Sequence, residues 1–136
     1  MKIMLDKGAV LPTKAHDADA GYDLYSTEDR IIPAHGSAVI DTGVHMQIPP
    51  GWAGLLVSKS GLNVNHDLTS TGLIDPEYTG SIRVKLYNHG DSYYLVQAGD
   101  KISQLVFIPV GSFSFQLVDK LEETERGEGG FGSSGR

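Results

Sequence analysis

Asp75 directly follows the apolar pair Leu73-Ile74 and opens a turn that runs through Pro76, Glu77, Tyr78 and Thr79 to Gly80. Asp-Pro is an ordinary turn starter. A partly desolvated carboxylate at a strand end is also placed to orient a water as general base. Ser58-Lys59-Ser60-Gly61-Leu62 is a second candidate. It offers hydroxyls, backbone N–H groups and one cation where a strand gives way to a short helix, a combination suited to phosphate. The end of the chain, residues 127–136, holds five glycines, one aromatic (Phe131), two serines (Ser133, Ser134) and Arg136, with Arg126 just before it. Such a run reads as a flexible linker. Yet bare backbone N–H groups can also wrap phosphates, and an aromatic can stack on a base. The five histidines, His16, His35, His45, His66 and His89, form no i, i+4 pair, so each reads as a surface or strand residue. The P-loop and the G-x-S-x-G elbow are both missing from the sequence.

These residues need a scaffold, and period two supplies it. Val44, Met46 and Ile48 alternate with polar neighbours, as do Ile82, Val84 and Leu86, and again Phe113, Phe115 and Leu117. Each run predicts a half-buried strand. Leu105-Val106-Phe107-Ile108 predicts a strand covered on both faces and ended by Pro109. Turn signals at Ala34-His35-Gly36, Pro49-Pro50-Gly51, Asn88-His89-Gly90-Asp91 and Ala98-Gly99-Asp100 separate the runs. Residues 59–65 predict one or two helical turns capped by Ser58 or Ser60. Residues 119–126 read as a solvated linker, and the tail beyond them as mobile without ligand, because its few apolar groups cannot offset the ordering cost. The expected architecture is all-β, with one short helix.

A chain of 136 residues with 40% hydrophobic residues suits one domain with one core. Its formal charge of −6 argues against a duplex nucleic-acid binder while leaving room for a local basic pocket. The absence of cysteine removes disulfides, thiolate zinc and a thiol nucleophile. The start is charged too early for a signal peptide, and no apolar run reaches 18 residues, so a cytoplasmic protein that does not span a membrane is expected.

Five segments then fall into order. Ala20-Gly21-Tyr22-Asp23-Leu24, Ser60-Gly61-Leu62, Gly72-Leu73-Ile74-Asp75 through Tyr78-Thr79-Gly80, Gly99-Asp100-Lys101-Ile102-Ser103-Gln104-Leu105, and Arg126-Gly127 through Gly135 resemble the five motifs of the homotrimeric deoxyuridine triphosphate nucleotidohydrolases, the dUTPases. The resemblance implies a jelly-roll-type β-barrel over residues 1–125. It makes residues 126–136 an arm that closes over a site shared among three chains. It implies hydrolysis of dUTP to dUMP and pyrophosphate with Mg²⁺, which keeps uracil out of DNA and supplies dUMP for thymidylate synthesis. Asp75 would activate the attacking water, and Tyr78 would wall off the 2′ position of the sugar. A hairpin over residues 69–73 (Thr69, Gly72, Leu73, with Ile74 beside it) would read uracil with its backbone. Lys59, Ser60, Gly61 and Gln104 would hold phosphates. Asp23 would act on the metal through water only. Phe131 would lie over the base, with Gly132 beside it, while Arg126, Ser133 and Ser134 clamp the outer phosphates.

Lys59 stands where the family usually has Arg, and Ser58 where Pro is common; Ser70-Thr71-Gly72 also departs from the usual stretch before the acid. Lys keeps the charge and loses the bidentate fork. Two other functions fit the same fold. A dCTP deaminase needs a general acid/base at the pyrimidine amino group, and a regulatory module would use the nucleotide as a switch. Asp75 and Tyr78 follow the hydrolase pattern, as does the Gly-Phe-Gly tail.

Overall fold

The computed structural model describes residues 1–130. Its elements, in chain order, are β1 (Ile3–Leu5), β2 (Tyr22–Tyr25), β3 (Arg30–Ile32), β4 (Ser37–Asp41), β5 (Val44–Met46), β6 (Trp52–Val57), α1 (Ser60–His66), β7 (Leu68–Ile74), β8 (Arg83–Asn88), β9 (Tyr94–Val96) and β10 (Lys101–Pro109). The main sheet is antiparallel with strand order β2-β10-β6-β7-β8-β4; β1-β5 and β3-β9 form two small sheets. Leu24, Ile32, Val44, Leu56, Leu68, Leu86, Val96 and Leu105 join one buried cluster. They come from all three sheets, so the main sheet curls and the small sheets close over it.

Alternation governs this assembly. Along β8, Val84, Leu86 and Asn88 are buried while Arg83, Lys85 and Tyr87 face out. In β5, Val44 and Met46 point in. Strand β10 lies between β2 and β6 and ends at Pro109, as the apolar run predicts. Leu105 is buried there, but Val106, Phe107 and Ile108 are only half-buried. Gly54 on β6 lets the layers approach: a Cβ would stand 2.8 Å from Leu105 Cδ1 and 3.3 Å from Ile74 Cβ.

Two local expectations are corrected. The helix begins one residue late, at Ser60, with Lys59 as its N-cap. Neither predicted serine caps it; the Ser58 hydroxyl donates to Ser70 O at 3.2 Å and accepts from Ser70 N–H at 3.0 Å. The run Phe113, Phe115, Leu117 is not a half-buried strand. Among the described residues it pairs with no strand, and its three apolar side chains are 82%, 98% and 99% exposed. The sheet ends at Pro109, and the chain beyond it leaves the core that the alternation was meant to cover. Residues 119–126 are exposed, as a solvated linker should be.

Leu105 sits at the crossing of β2, β6 and β10 with 1% exposure. Leu105→Ala should lower unfolding free energy by about 2–5 kcal/mol. The check is the urea midpoint, with an unchanged slope marking an unchanged fold.

Candidate active site

Strand β7 carries the first group of candidate residues to one end of the sheet. Its register with β6 pairs Ile74 with Gly54 and Thr71 with Val57, while its ladder with β8 spans Leu68 to Ser70. Beyond Ser70 the chain separates from β8 and turns over residues 75–82. The hairpin expected over residues 69–73 is therefore a strand, and the bend comes later. The edge of residues 71–74 that faces away from β6 is where β7 and β8 have parted.

The turn is tightly determined. Tyr78 N–H donates to Asp75 O at 3.4 Å, and Glu77 takes a left-handed φ of 69°. The Tyr78 hydroxyl donates to Ser81 O at 3.1 Å, and a Cβ on Gly80 would collide with the Tyr78 ring. Ile82 is then tied to β5 through its N–H to Val44 O at 2.9 Å. Leu73, Ile74, Asp75, Tyr78, Ser81 and Arg83 line an open cleft of about 310 Å³. Asp75 is exposed there rather than partly desolvated, because this chain alone leaves the cleft uncovered. Ser81 and Arg83 are additions that the sequence reading missed; Arg83 lies on the polar face of an alternating strand and gives no separate signal. Asp41 backs both, accepting from the Ser81 hydroxyl and forming an ion pair with Arg83, Nε to Oδ2 at 3.4 Å. Burial would raise the Asp41 pKa, but Ser81, the Gly43 N–H and Arg83 together hold it below its ordinary value.

The second group gathers at the other end of β6. Asp23 on β2 pairs with Gln104 on β10, which in turn pairs with Val57 on β6. Asp23 is 3% exposed. Its Oδ1 accepts from Lys59 Nζ at 3.1 Å and from Gln104 Nε2 at 3.5 Å, and its Oδ2 meets Lys101 Nζ at 2.7 Å. Burial alone would raise this carboxyl's pKa; the bonds from Lys101 and Lys59 outweigh it and hold the group below its ordinary value. Beneath the cluster, the hydroxyls of Ser70 and Ser103 meet at 2.8 Å, and Ser103 donates to Val57 O at 3.0 Å. This stitches β6, β7 and β10 together where Lys59 and Ser60 emerge. Ser60 and Gly61 are exposed at the start of α1.

The structure thus brings Leu73, Ile74, Asp75 and Tyr78 together, and separately Asp23, Lys59, Ser60, Gly61 and Gln104. It does not join the two groups: along the strands the level of Asp75 is four residues, roughly 13 Å, from that of Gln104 at Val57, and six residues, roughly 20 Å, from Lys59. Thr69 is nearer the second end, its hydroxyl 2.8 Å from His89 Nε2. Gly72 lies between, opposite Leu56. Arg126 sits on the exposed segment after β10, donating to Gly129 O at 3.0 Å. Phe131, Gly132, Ser133 and Ser134 lie outside the described residues.

The dUTPase family model matches residues 7–135. The chain belongs to the dUTPase family. It is similar to the deoxyuridine 5′-triphosphate nucleotidohydrolases of Eremothecium gossypii (41% identity, 99% of this chain, 90% of the relative) and Clostridium acetobutylicum (41%, 96% and 92%). Among solved structures, the dUTPase of Staphylococcus bacteriophage 80alpha with dUpNHpp superposes with a TM-score of 0.94 at 33% identity, covering 99% of this chain and 98% of that one. That structure is described as one of the phage dUTPases that control transfer of virulence genes by a G protein-like mechanism. A variant dUTPase of S. aureus phage phi11, with a structural Mg(II) ion, has a TM-score of 0.83 at 29% identity over 90% of this chain and 98% of that one.

For a metal, the described residues contain no group of three His, Asp or Glu side chains that could hold one. Asp23, the one acid expected to act on Mg²⁺ through water, has both oxygens engaged by ammonium groups. The donor set fits an ion carried by phosphates, not a protein cage. No helix among the described residues is long and apolar enough to cross a membrane.

Asp23→Asn should strand two half-buried lysines beside a neutral amide. The expected loss of stability is about 2–4 kcal/mol, below the fully buried case because the lysines stay partly solvated. In the unmodified protein the depressed pKa of Asp23 gives stability that is complete above an ordinary Asp pKa of about 3.9 and lost as pH falls below it. Urea unfolding at pH 7 and pH 3 checks both, since the deficit of the variant should shrink at the lower pH.

Proposed function

We propose that this chain hydrolyses dUTP to dUMP and pyrophosphate at sites assembled from three copies of itself, in the cytoplasmic nucleotide pool. One observation carries the reading: the Asp75–Tyr78 cleft and the Lys59–Gln104 cluster occupy opposite ends of one ladder. A triphosphate seated at Asp75 needs phosphate donors, and those of the same chain are far away. A neighbouring copy supplies them. Head-to-tail sharing of this kind closes naturally in a three-fold ring. The exposed Phe113, Phe115, Leu117 and Leu121 support assembly as well, because an extended apolar segment left uncovered by its own chain is suited to pack on another copy.

In this reading Asp75 accepts a proton from the water that attacks the α-phosphorus. Tyr78, fixed against Gly80 and Ser81, fills the space of a 2′-hydroxyl. The open edge of residues 71–74, with Leu73 and Ile74, pairs with uracil through backbone groups. Lys59, Ser60, Gly61 and Gln104 hold the phosphates. Arg126 with Phe131, Gly132, Ser133 and Ser134 closes the site from a third chain. Mg²⁺ bound to the phosphates would neutralise charge. The chain's own residues position the phosphorus and orient the water, which is most of what phosphoryl transfer requires. The Asp75 cleft favours this activity over a purely regulatory barrel, and Tyr78 beside it favours the hydrolase over a dCTP deaminase.

Pyrophosphate release from dUTP should exceed that from dTTP, dCTP or UTP, and Asp75→Asn should lower kcat by about 10²–10⁴ while dUTP still binds. Comparable turnover of the other nucleotides, or a kcat within a few-fold of wild type, would refute the assignment.

Sharing is tested by mixing two inactive proteins, Asp75→Ala and a deletion of residues 126–136. Random assembly at equal amounts should restore roughly a quarter of all sites. Verified mixed assembly without activity would show that the arm closes over its own chain.

A further inference from the structure

His45 belongs to none of the motifs that point to the site, yet it grips the turn that carries Asp75 and Tyr78. It projects from β5 with its side chain 19% exposed. Nδ1 lies 2.8 Å from the carbonyl oxygen of Thr79, the residue between Tyr78 and Gly80. Nε2 lies 3.2 Å from Asp6 Oδ2. Asp6 is itself fixed, donating its N–H to Gly43 O at 2.9 Å. Both partners of the ring are acceptors only: a carbonyl and a carboxylate. A neutral imidazole has one N–H and can satisfy one of them; only the imidazolium donates to both.

We propose that His45, held as an imidazolium between Asp6 and the Thr79 carbonyl, is a positioning residue for the Tyr78 wall, so that discrimination between deoxyribose and ribose substrates weakens as pH rises. The inference rests on the dUTP reading for its substrate and on the geometry above for its mechanism. Thr79 is the centre of the 78–80 segment, and the Tyr78 ring leans on Gly80. Releasing the Thr79 carbonyl therefore loosens the wall itself. Asp75, four residues away and at the end of β7, is anchored separately through the β6 ladder that holds Ile74.

The surrounding charges agree. The Thr79 carbonyl raises the His45 pKa most, followed by the Asp6 carboxylate; partial burial opposes them, and Asp41 adds to the rise. Lys2, which lines the same shallow surface as His45 and Thr79, is the cation on that side. With a raised pKa the contact is complete below the ordinary histidine range and is lost as pH rises through the raised value.

The test measures kcat/KM for dUTP and for UTP from pH 6 to pH 9, using the full chain, His45→Ala and Asp6→Asn. Ratios of the two substrates cancel pH effects common to both. In wild type the dUTP/UTP ratio should fall roughly three- to tenfold across this range, the scale of one charge-assisted hydrogen bond at a partly solvated site. His45→Ala should sit at the high-pH ratio throughout. Asp6→Asn should stay at the low-pH ratio, because the introduced amide can donate to a neutral Nε2 while Nδ1–H still serves Thr79. The loss should appear mainly as reduced rejection of UTP, with kcat for dUTP changing less. A wild-type ratio flat with pH, or a His45→Ala profile equal to wild type, overturns the proposal. Amide hydrogen exchange over residues 75–80 gives a second readout that needs no substrate. Wild type should be protected relative to His45→Ala at pH 6, with the difference gone by pH 9; equal exchange at both pH values also overturns the clamp. If wild type hydrolyses neither nucleotide, the dUTP reading fails, and exchange alone decides the clamp.

Discussion

A β-ladder advances about 3.3 Å per residue, and this fixed step governs the molecule's chemistry. Strands β6 and β7 begin and end where their hydrophobic alternation allows, which places Ile74 beside Gly54 and Thr71 beside Val57. Asp75 then stands towards one end, and Lys59 and Lys101 towards the other. No rotamer change spans that distance. In the proposed reading a second copy completes the site, and the exposed apolar residues after Pro109 gain a reason once copies are present. Folding of one chain and completion of the site are then separate problems: the core closes within the chain, and on the proposed reading the catalytic set closes between chains.

Each end is stiffened by polar contacts that the hydrophobic pattern does not reveal. Ser58 donates to and accepts from the backbone of Ser70, and Ser70 meets Ser103 across the sheet. Among the described residues every buried side-chain nitrogen and oxygen has a partner. Buried hydroxyls satisfied in this way hold register where apolar packing alone would tolerate sliding. They secure the point at which Lys59 and Ser60 leave β6. At the opposite end, Asp41 organises Ser81 and Arg83, and His45 does the same for Thr79. Asp41 thus backs two residues of the cleft lining, while His45, bonded to Asp6, holds the turn just beside it.

Much of this was legible in the sequence because period two is a local signal. The alternations of Val44 with Met46 and of Val84 with Leu86 fall on strands, with Ile48 and Ile82 buried just outside them, and the Leu105 run is a strand that ends at Pro109, though only Leu105 of its four residues is fully covered. The run at Phe113, Phe115 and Leu117 carries the same signal and misleads, since alternation reports a face to be covered and not which chain covers it. The helix cap failed for another reason. Ser58 has the right side chain, but an unpaired N–H on β7 competes for its hydroxyl, and that competitor is distant in sequence. The expected hairpin at residues 69–73 was displaced because β7 stays paired with β6 after leaving β8. His45 was invisible as a positioning residue: its partners Asp6 and Thr79 lie 39 and 34 residues away in the chain. The motif resemblance named Asp75, Tyr78, Lys59 and Gln104 and implied a site shared among chains; the distance that one chain keeps between them comes only from the strand register.

The charge arrangement shows how an acidic chain accommodates a polyanion. The formal charge is −6, so long-range attraction does not gather the ligand. Local design must serve instead. Asp23, Lys59 and Lys101 form a compact set of net charge +1, one acid against two ammonium groups. The buried acid lowers the cost of holding two lysines close together, which would otherwise repel each other. It also fixes their geometry before the ligand arrives. An arginine at position 59 could brace the acid and present a fork to phosphate with the same planar group; a lysine has three donors on one nitrogen and spends one on Asp23. On the proposed reading the burden of orienting phosphate moves to Ser60, Gly61 and Gln104, and the ammonium serves as a point charge. On the proposed reading such a cluster favours a phosphate chain whose charge a bound cation has already reduced, because a net +1 balances little of a bare triphosphate.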